Sequence, residues 1–298
     1  MATLIGVVSQ VVGEVFAVAG DGSRRPLIEG DRVYAGEQLV TGAAGGIGTL
    51  LRHKLKPLAK TLRLSDVADL GHAGENEEIV PCDPADRGAV RQLVEGCDGI
   101  LHLGGISLEK SFDTLLGPNI VGVYNLYEAA RACEIPRILF ASSNHVTGFH
   151  EQGTLLTAEA SLRPDGLYGV TKCFGEAMAR MYHDKFGLET AIVRIGWCAQ
   201  EAQDHRKLSI WMSPDDFLSL VACVFTVSRL GCPVIYGVSN NDTIWWDNSA
   251  VSYLGWNPKD NAAKFREKID ATMPRPPKDA CDAVYQGGKF TIEPIQEE

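Results

Sequence analysis

The sequence predicts an α/β fold built on a doubly wound parallel sheet, and three observations carry the prediction. Short apolar strands alternate with helical patterns from residue 39 onward. A glycine-rich turn joins the first of these strands to a helix. Acidic or small residues then close the following strands, where ligands gather in such sheets.

The alternation runs in order. LVTG is followed by a predicted helix from Ile47 to Leu58, then by TLRLSD. EEIVPCD, a helix around Val90 to Leu93, and GILHLGG come next. NIVGVYNLYEAARA reads as a helix and RILFASSN as a strand. The segment from Arg163 to Gly187 has the spacing of an amphipathic helix, with Gly187 as its stop. Residues 1–37 have another texture. Short β-branched runs separated by Gly and Asp turns predict a β-like N-terminal extension. The expected division is therefore 1–37 and 38–298, with substrate-binding elements mainly from residue 145 onward in a small C-terminal portion.

Composition limits the partners. The 298 residues are 45% hydrophobic and 22% charged, with a formal net charge of −10. Nucleic-acid binding needs a concentrated basic face, so a nucleic-acid partner is not expected. No apolar run reaches the length of a bilayer span, and no membrane partner is expected. The N-terminus lacks the positive segment and unbroken apolar run of a secretory signal. Eight cysteines form no CxxC pair and no zinc-type cluster with histidines. They predict reduced thiols, a cytoplasmic protein and no metal site.

The turn reads Thr41-Gly42-Ala43-Ala44-Gly45-Gly46-Ile47-Gly48. Gly42 permits the tight turn, Gly45 lets the backbone approach a pyrophosphate, and Gly48 allows close helix packing. The helix N-terminus attracts the diphosphate. Asp66 ends the next strand, where a carboxylate accepts hydrogen bonds from ribose hydroxyls and repels a 2′-phosphate. A Rossmann-type site selecting NAD follows. Asp83, with Pro84, ends the third strand near the adenine. Leu103, Gly104 and Gly105 close the fourth, where small residues admit the cofactor.

Tyr168 and Lys172 lie four apart on the predicted helix and share a face. A free phenol titrates near pH ~10, too high for a base at neutrality. A neighbouring ammonium lowers that value. An isolated Tyr–Lys pair is commonly only an exposed helix pair. Here it follows Ser142 and Ser143, which end the strand RILFASS, and a hydroxyl at Ser143 can hold the reacting oxygen near Tyr168. Glycine turn, strand-end acid, strand-end serine and YxxxK occur in one order, which points to a catalytic set of Tyr168, Lys172 and Ser143.

This set resembles the extended short-chain dehydrogenase/reductase superfamily. HLGGIS (102–107), YNLYEAARA (124–132), RILFASSNH (137–145), RPDGLYGVTKCFGE (163–176), LGCPVIYG (230–237), WWDN (245–248) and LGWNPKDNA (254–262) are similar to bacterial uronate dehydrogenases. The resemblance covers about residues 39–298. It implies NAD-dependent oxidation of D-galacturonate or D-glucuronate at C1 to the aldarolactone, with Tyr168 as proton acceptor. It also implies that Ser107, Ser143, Asn144 and His145 contact the sugar and that Arg206 clamps its carboxylate. A planar guanidinium suits that task. Lys172 would also hold the nicotinamide ribose. A homo-oligomer is expected. The alternatives are a nucleotide-sugar epimerase or dehydratase of the same superfamily, or a non-catalytic NAD-binding protein.

Three departures from the resemblance stand out. Trp197 replaces the usual serine in RIGSC, where it could stack on the sugar or fill the ligand's space. VTGFHEQG alters the loop after His145. Gln38 stands in the first strand where leucine is usual, and unpaired it would cost about 1–3 kcal/mol. Residues 1 to about 44 resemble the start of the N-terminal retention module of biofilm adhesins, and the two resemblances overlap at VTGAAG.

Overall fold

Seven parallel strands form the central sheet of the computed structural model. They are β1 (Ala35–Thr41), β2 (Ala59–Ser65), β3 (Glu77–Ile79), β4 (Gly99–His102), β5 (Arg137–Ser143), β6 (Glu189–Ile195) and β7 (Val234–Gly237). Their spatial order is 7-6-5-4-1-2-3. Chain direction across the sheet reverses between β1 and β4, and this switch point opens a crevice at the strands' C-terminal ends.

The structure describes residues 35–297 and, before them, only 6–7, 16–18, 24–26 and 32–33. Gly6–Val7 pairs antiparallel with Arg32–Val33, and Phe16–Val18 with Arg24–Pro26. The rest of the predicted extension, including most of the adhesin-like string, lies outside the described residues. β1 starts at Ala35, which pairs with Ala59, so the strand reaches back past residue 38.

Alternation along buried strands feeds two apolar layers. On one face, Val40, Leu62 and Leu64 pack with Leu51 and Leu55 of α1 (Gly46–Leu55). On the other, Leu39, Ile100 and Ile138 pack with Val90 and Leu93 of α2 (Arg87–Val94). Leu126 and Tyr127 of α3 (Gly122–Ala132) and Ala179 and Tyr182 of α4 (Leu167–Phe186) complete that layer. Phe217, Leu220 and Val224 of α5 (Pro214–Thr226) join the first. Two smaller clusters form beyond the sheet, one around Tyr236, Trp245 and Trp246 and one around Leu208, Trp211 and Ile269.

Element boundaries follow local chemistry. The first predicted helix runs as α1 and then tightens into a 3-10 turn over Lys56–Leu58, where Pro57 cannot continue it. α4 begins at Leu167, four residues later than predicted, because Gly166 is extended. Its first two amides donate to one buried carboxylate, Leu167 N–H to Glu109 Oε1 (2.8 Å) and Tyr168 N–H to Oε2 (3.0 Å). Gly187 ends it at φ +71°, as the sequence predicts. β3 stops at Ile79, short of Asp83, because Pro81 has no N–H to extend the ladder. Val80 and Cys82 still donate to Leu64 O and Asp66 O, so Asp83 keeps its place at the crevice.

A buried ion pair ties α4 to the sheet. Arg194 of β6 meets Glu176 through Nε (2.9 Å) and Nη2 (2.8 Å), and both residues are at most 1% exposed. Ser142 donates to the same carboxylate (2.7 Å), and Arg194 Nη1 reaches Tyr236 (3.1 Å).

Gln38 is 7% exposed in the middle of β1, against Gly99 of β4. Neither its Nε2 nor its Oε1 has a hydrogen-bond partner. The Gln38→Leu variant should therefore be more stable by about 1–3 kcal/mol, raising Tm by a few degrees. Calorimetry giving equal Tm values for both proteins would remove the cost assigned to this amide.

Candidate active site

The crevice at the switch point holds a cavity of about 550 Å3 lined by Gly42, Gly45, Asp66, Asp83, Pro84, Leu103, Gly104 and Gly105. Two of the glycines are sterically required. Gly42 has φ +69°, and a Cβ there would come within 2.6 Å of the Leu103–Gly104 peptide. A Cβ on Gly48 would reach Gly42 O at 2.4 Å, so this glycine closes the turn against α1. Gly46 and Ile47 begin α1 without lining the cavity, and Ile47 packs into the core. No side chain caps the helix, which leaves its first amides for an anion.

Asp66 stands at the end of β2 as predicted. Its Oδ2 accepts from Ala44 N–H (3.0 Å) and its Oδ1 from Ala68 N–H (3.1 Å). The carboxylate thus braces the glycine turn and keeps lone pairs free for hydroxyl donors. The glycine cradle, the uncapped helix and this acid fit a dinucleotide with an unphosphorylated ribose. His102 also lines the cavity, a residue the sequence did not single out. Its Nδ1 lies 2.6 Å from Thr41 Oγ1, and its Nε2 has no partner. Burial, with Lys172 nearby, pulls His102 down to about 3 and keeps it neutral.

Tyr168 and Lys172 share the inner face of α4, and both are buried. The Lys172 ammonium donates to Ala141 O (2.9 Å) and lies 5.7 Å from the Tyr168 ring centre. Burial pulls Lys172 down to about 8. The expected lowering of the phenol is reversed in the free protein, where burial pushes Tyr168 up to about 12. Loss of solvent opposes the phenolate more than the Ser143 hydroxyl beside it supports it.

The sugar-facing residues predicted from the resemblance converge in part. The Asn144 carbonyl accepts from Arg206 Nη2 (2.9 Å), and its amide donates to Ile195 O (3.2 Å). Arg206 Nε donates to Gln286 O (2.7 Å). Burial pulls the guanidinium down to about 10, which leaves it cationic at neutral pH. The His145 ring meets Tyr168 edge-on at 5.8 Å and stacks on Phe290 at 3.9 Å. Ser143 caps the turn that follows β5 by accepting from His145 N–H (3.2 Å). Ser107 is exposed on the loop after Gly105 and makes no hydrogen bond to this group.

Trp197 is half-buried and engaged by its own neighbourhood. Lys207 Nζ lies 4.1 Å over its ring, and Nε1 donates to Glu201 O (3.3 Å). The indole packs on both smaller clusters and braces the loop that leads to Arg206. Glu109, Asp165, Gln286 and Phe290 were missed by sequence reasoning, since each acts across a long separation or from the C-terminal segment. Only Asp165, three residues before Tyr168, carried a local hint. Among the described residues, no cluster of His, Cys, Asp and Glu is placed to hold a metal. None of their helices is long and apolar enough to cross a membrane.

Comparison with known proteins agrees with this arrangement. Residues 38–205 match the model of the NAD dependent epimerase/dehydratase family. The chain is 56% identical over 257 residues to the uronate dehydrogenase of Agrobacterium fabrum, covering 86% of this chain and 97% of that protein. It is 48% identical to that of Pseudomonas syringae, over 85% of this chain and 92% of the relative. The crystal structure of a mutant uronate dehydrogenase from Agrobacterium tumefaciens complexed with NAD superposes with a TM-score of 0.87 at 55% identity, covering 88% and 99% of the two chains. With this fold, cradle and Tyr–Lys helix, the chain belongs to the uronate dehydrogenases within the NAD-dependent epimerase/dehydratase family.

Proposed function

We propose that this chain is an NAD-dependent uronate dehydrogenase that oxidises free D-galacturonate or D-glucuronate at C1 to the aldarolactone. The observation that carries the reading is the joining of Asn144 to Arg206 beside Ser143, His145 and Tyr168. The neighbouring residues Asn144 and His145 thereby link a cation suited to a carboxylate with a phenol suited to accept a proton.

NAD, when bound, supplies the hydride acceptor for C1. Ser143 holds the C1 oxygen against Tyr168, and the Tyr168 Oη takes the hydroxyl proton as the C1–H bond breaks. Lys172 provides positive charge beside the phenol and stands ready to hold a ribose hydroxyl. Arg206 pairs with the sugar carboxylate, and Asn144 fixes the fork that does so. Asp66 favours NAD over its 2′-phosphorylated form. Ser107, on the exposed loop after Gly105, is assigned to the sugar by the resemblance alone.

Several coarser features fit the same reading. All eight cysteines are free, which suits a reducing compartment, and we place the enzyme in the cytoplasm. Tyr124 on α3 and Val170, Met181 and Phe186 on α4 are exposed apolar side chains, which supports self-association of these helices into a homo-oligomer. We assign residues 1–37 to an extension, whose last three residues already run in β1, and 38–298 to the enzyme.

Purified protein given NAD and either uronate should produce NADH, and NAD binding with no NADH from either acid would sink the assignment. Tyr168→Phe should lose about 10²–10⁴-fold in kcat while keeping its Tm and NAD affinity. Retained turnover would take the proton-accepting role from Tyr168. The pH dependence has a definite sign. The phenol must give up its own proton before it can take one, so kcat/KM should rise with pH from the acid side. The rise should fade above about 8, where free Lys172 loses its charge. Lys172→Met removes the cation and should displace the rise to higher pH. A profile shifted to lower pH, or unmoved, would contradict the electrostatic role.

A further inference from the structure

Asp165 lies in the loop before α4, and its side chain is fully buried. Its Oδ2 is 2.7 Å from His145 Nδ1. Its backbone N–H donates to His145 O (3.3 Å), so residues 145 and 165 are joined twice. Oδ1 has no hydrogen-bond partner. Two glycines from distant segments wall the carboxylate in. A Cβ on either Gly148 or Gly287 would come within 1.9 Å of Oδ2. Gly287 N–H in turn donates to Gly148 O (2.8 Å), which closes the wall. A buried carboxylate left with one side-chain bond is costly, and such groups call for an explanation.

The geometry of His145 supplies one. An ionised carboxylate can only accept, so the imidazole nitrogen facing it must carry the proton. In the neutral ring, the other nitrogen is then an acceptor. Among the described residues, no protein hydrogen bond engages His145 Nε2, and the ring keeps 13% of its side-chain surface exposed. Phe290 covers one face at 3.9 Å and Tyr168 meets an edge at 5.8 Å, so the ring is held in place.

We infer that Asp165 is a positioning residue that fixes His145 in its Nδ1–H form, so that Nε2 accepts a hydrogen bond from a hydroxyl of the bound sugar. The inference rests on the uronate-oxidising reading above. It adds to that reading a requirement that the substrate bring a donor to His145. The carboxylate acts through its partner, as orienting acids do behind other histidines. An acceptor at Nε2 complements the donors at Arg206. One end of the sugar meets a cation while another donates a hydrogen bond to a lone pair, and this pairing sets the ring's register against Tyr168.

The test starts with 15N-histidine-labelled wild-type protein at neutral pH, with the His145 signals assigned by comparison with His145→Gln. Protonated Nδ1 and unprotonated Nε2 are expected. A ring with Nε2 protonated, alone or together with Nδ1, overturns the inference. Asp165→Asn can turn its NH2 toward Nδ1 and move the proton to Nε2. That variant should lose about 10–100-fold in kcat/KM for the uronate, part of it in the uronate KM, with NAD affinity and Tm little changed. An unchanged kcat/KM, or a loss matched by equal losses in NAD affinity and Tm, overturns the positioning role. If Asp165→Asn does not fold, the wild-type spectrum decides alone. A wild-type protein that binds NAD but turns over neither uronate overturns the substrate reading and the acceptor role together. A wrong tautomer in an active enzyme overturns the acceptor role alone.

Discussion

The Glu176–Arg194 pair fixes the geometry on which the site depends. Two ions at most 1% exposed are tolerable only when paired and fully bonded. Here the Glu176 carboxylate accepts from both forks of Arg194 and from Ser142, while Arg194 also reaches Tyr236. These bonds lock α4 to the ends of β5, β6 and β7. Lys172 is one turn before Glu176 on the same helix, and Ser143 follows Ser142 on the strand. The placing of the Tyr168–Lys172 helix against the strand-end hydroxyl is therefore set by a network of other residues. Glu109 acts at the other end of the helix, where its carboxylate holds the first two amides and so fixes where Tyr168 enters.

That rigid seat explains the titration behaviour. Tyr168 and Lys172 are both removed from water, and burial opposes the charged form of each. The phenol goes up to about 12 and the ammonium down to about 8, so the two move apart. Neither shift suits a free base at neutral pH. The Lys172 bond to Ala141 O holds the ammonium beside the phenol at the site's edge, where a ribose hydroxyl can join it.

Much of the fold was legible because it rests on short-range patterns. Alternating apolar strands and helices predicted the parallel sheet, and the turn from Gly42 to Gly48 named its switch point. Gly187 stopped α4 as its backbone freedom implies. The misses have physical causes. The start of α4 shifted because an acid 58 residues away caps it, a bond with no local sign. The direction of the Tyr168 shift was misjudged because charge proximity is visible in a sequence while burial is not. Asp66, Asn144 and Arg206 were named through motif order or resemblance. Asp165 and Phe290 were not, because their importance lies in packing against His145.

The chain's own departures fall on opposite sides of one distinction. Gln38 is buried among strands that offer it no partner, so its cost falls on stability and leaves the crevice unaltered. Trp197 is different, because its face and edge are both engaged by the loop from Glu201 to Lys207. Arg206 belongs to that loop, and it is held further by Asn144 and by Gln286 O. The bulky indole is therefore accommodated as a brace of the loop that carries Arg206. The C-terminal segment completes the enclosure, and it can do so only because Gly287 and Gly288 let its backbone pass. A Cβ on Gly288 would meet Arg206 Cδ at 2.7 Å, as one on Gly287 would meet Asp165. On the proposed reading, sugar recognition is assembled from four separated stretches, joined by side-chain bonds such as His145–Asp165 and Asn144–Arg206 and by close passage of glycine backbone past side chains. Substitutions at those glycines should harm sugar binding before they harm the sheet.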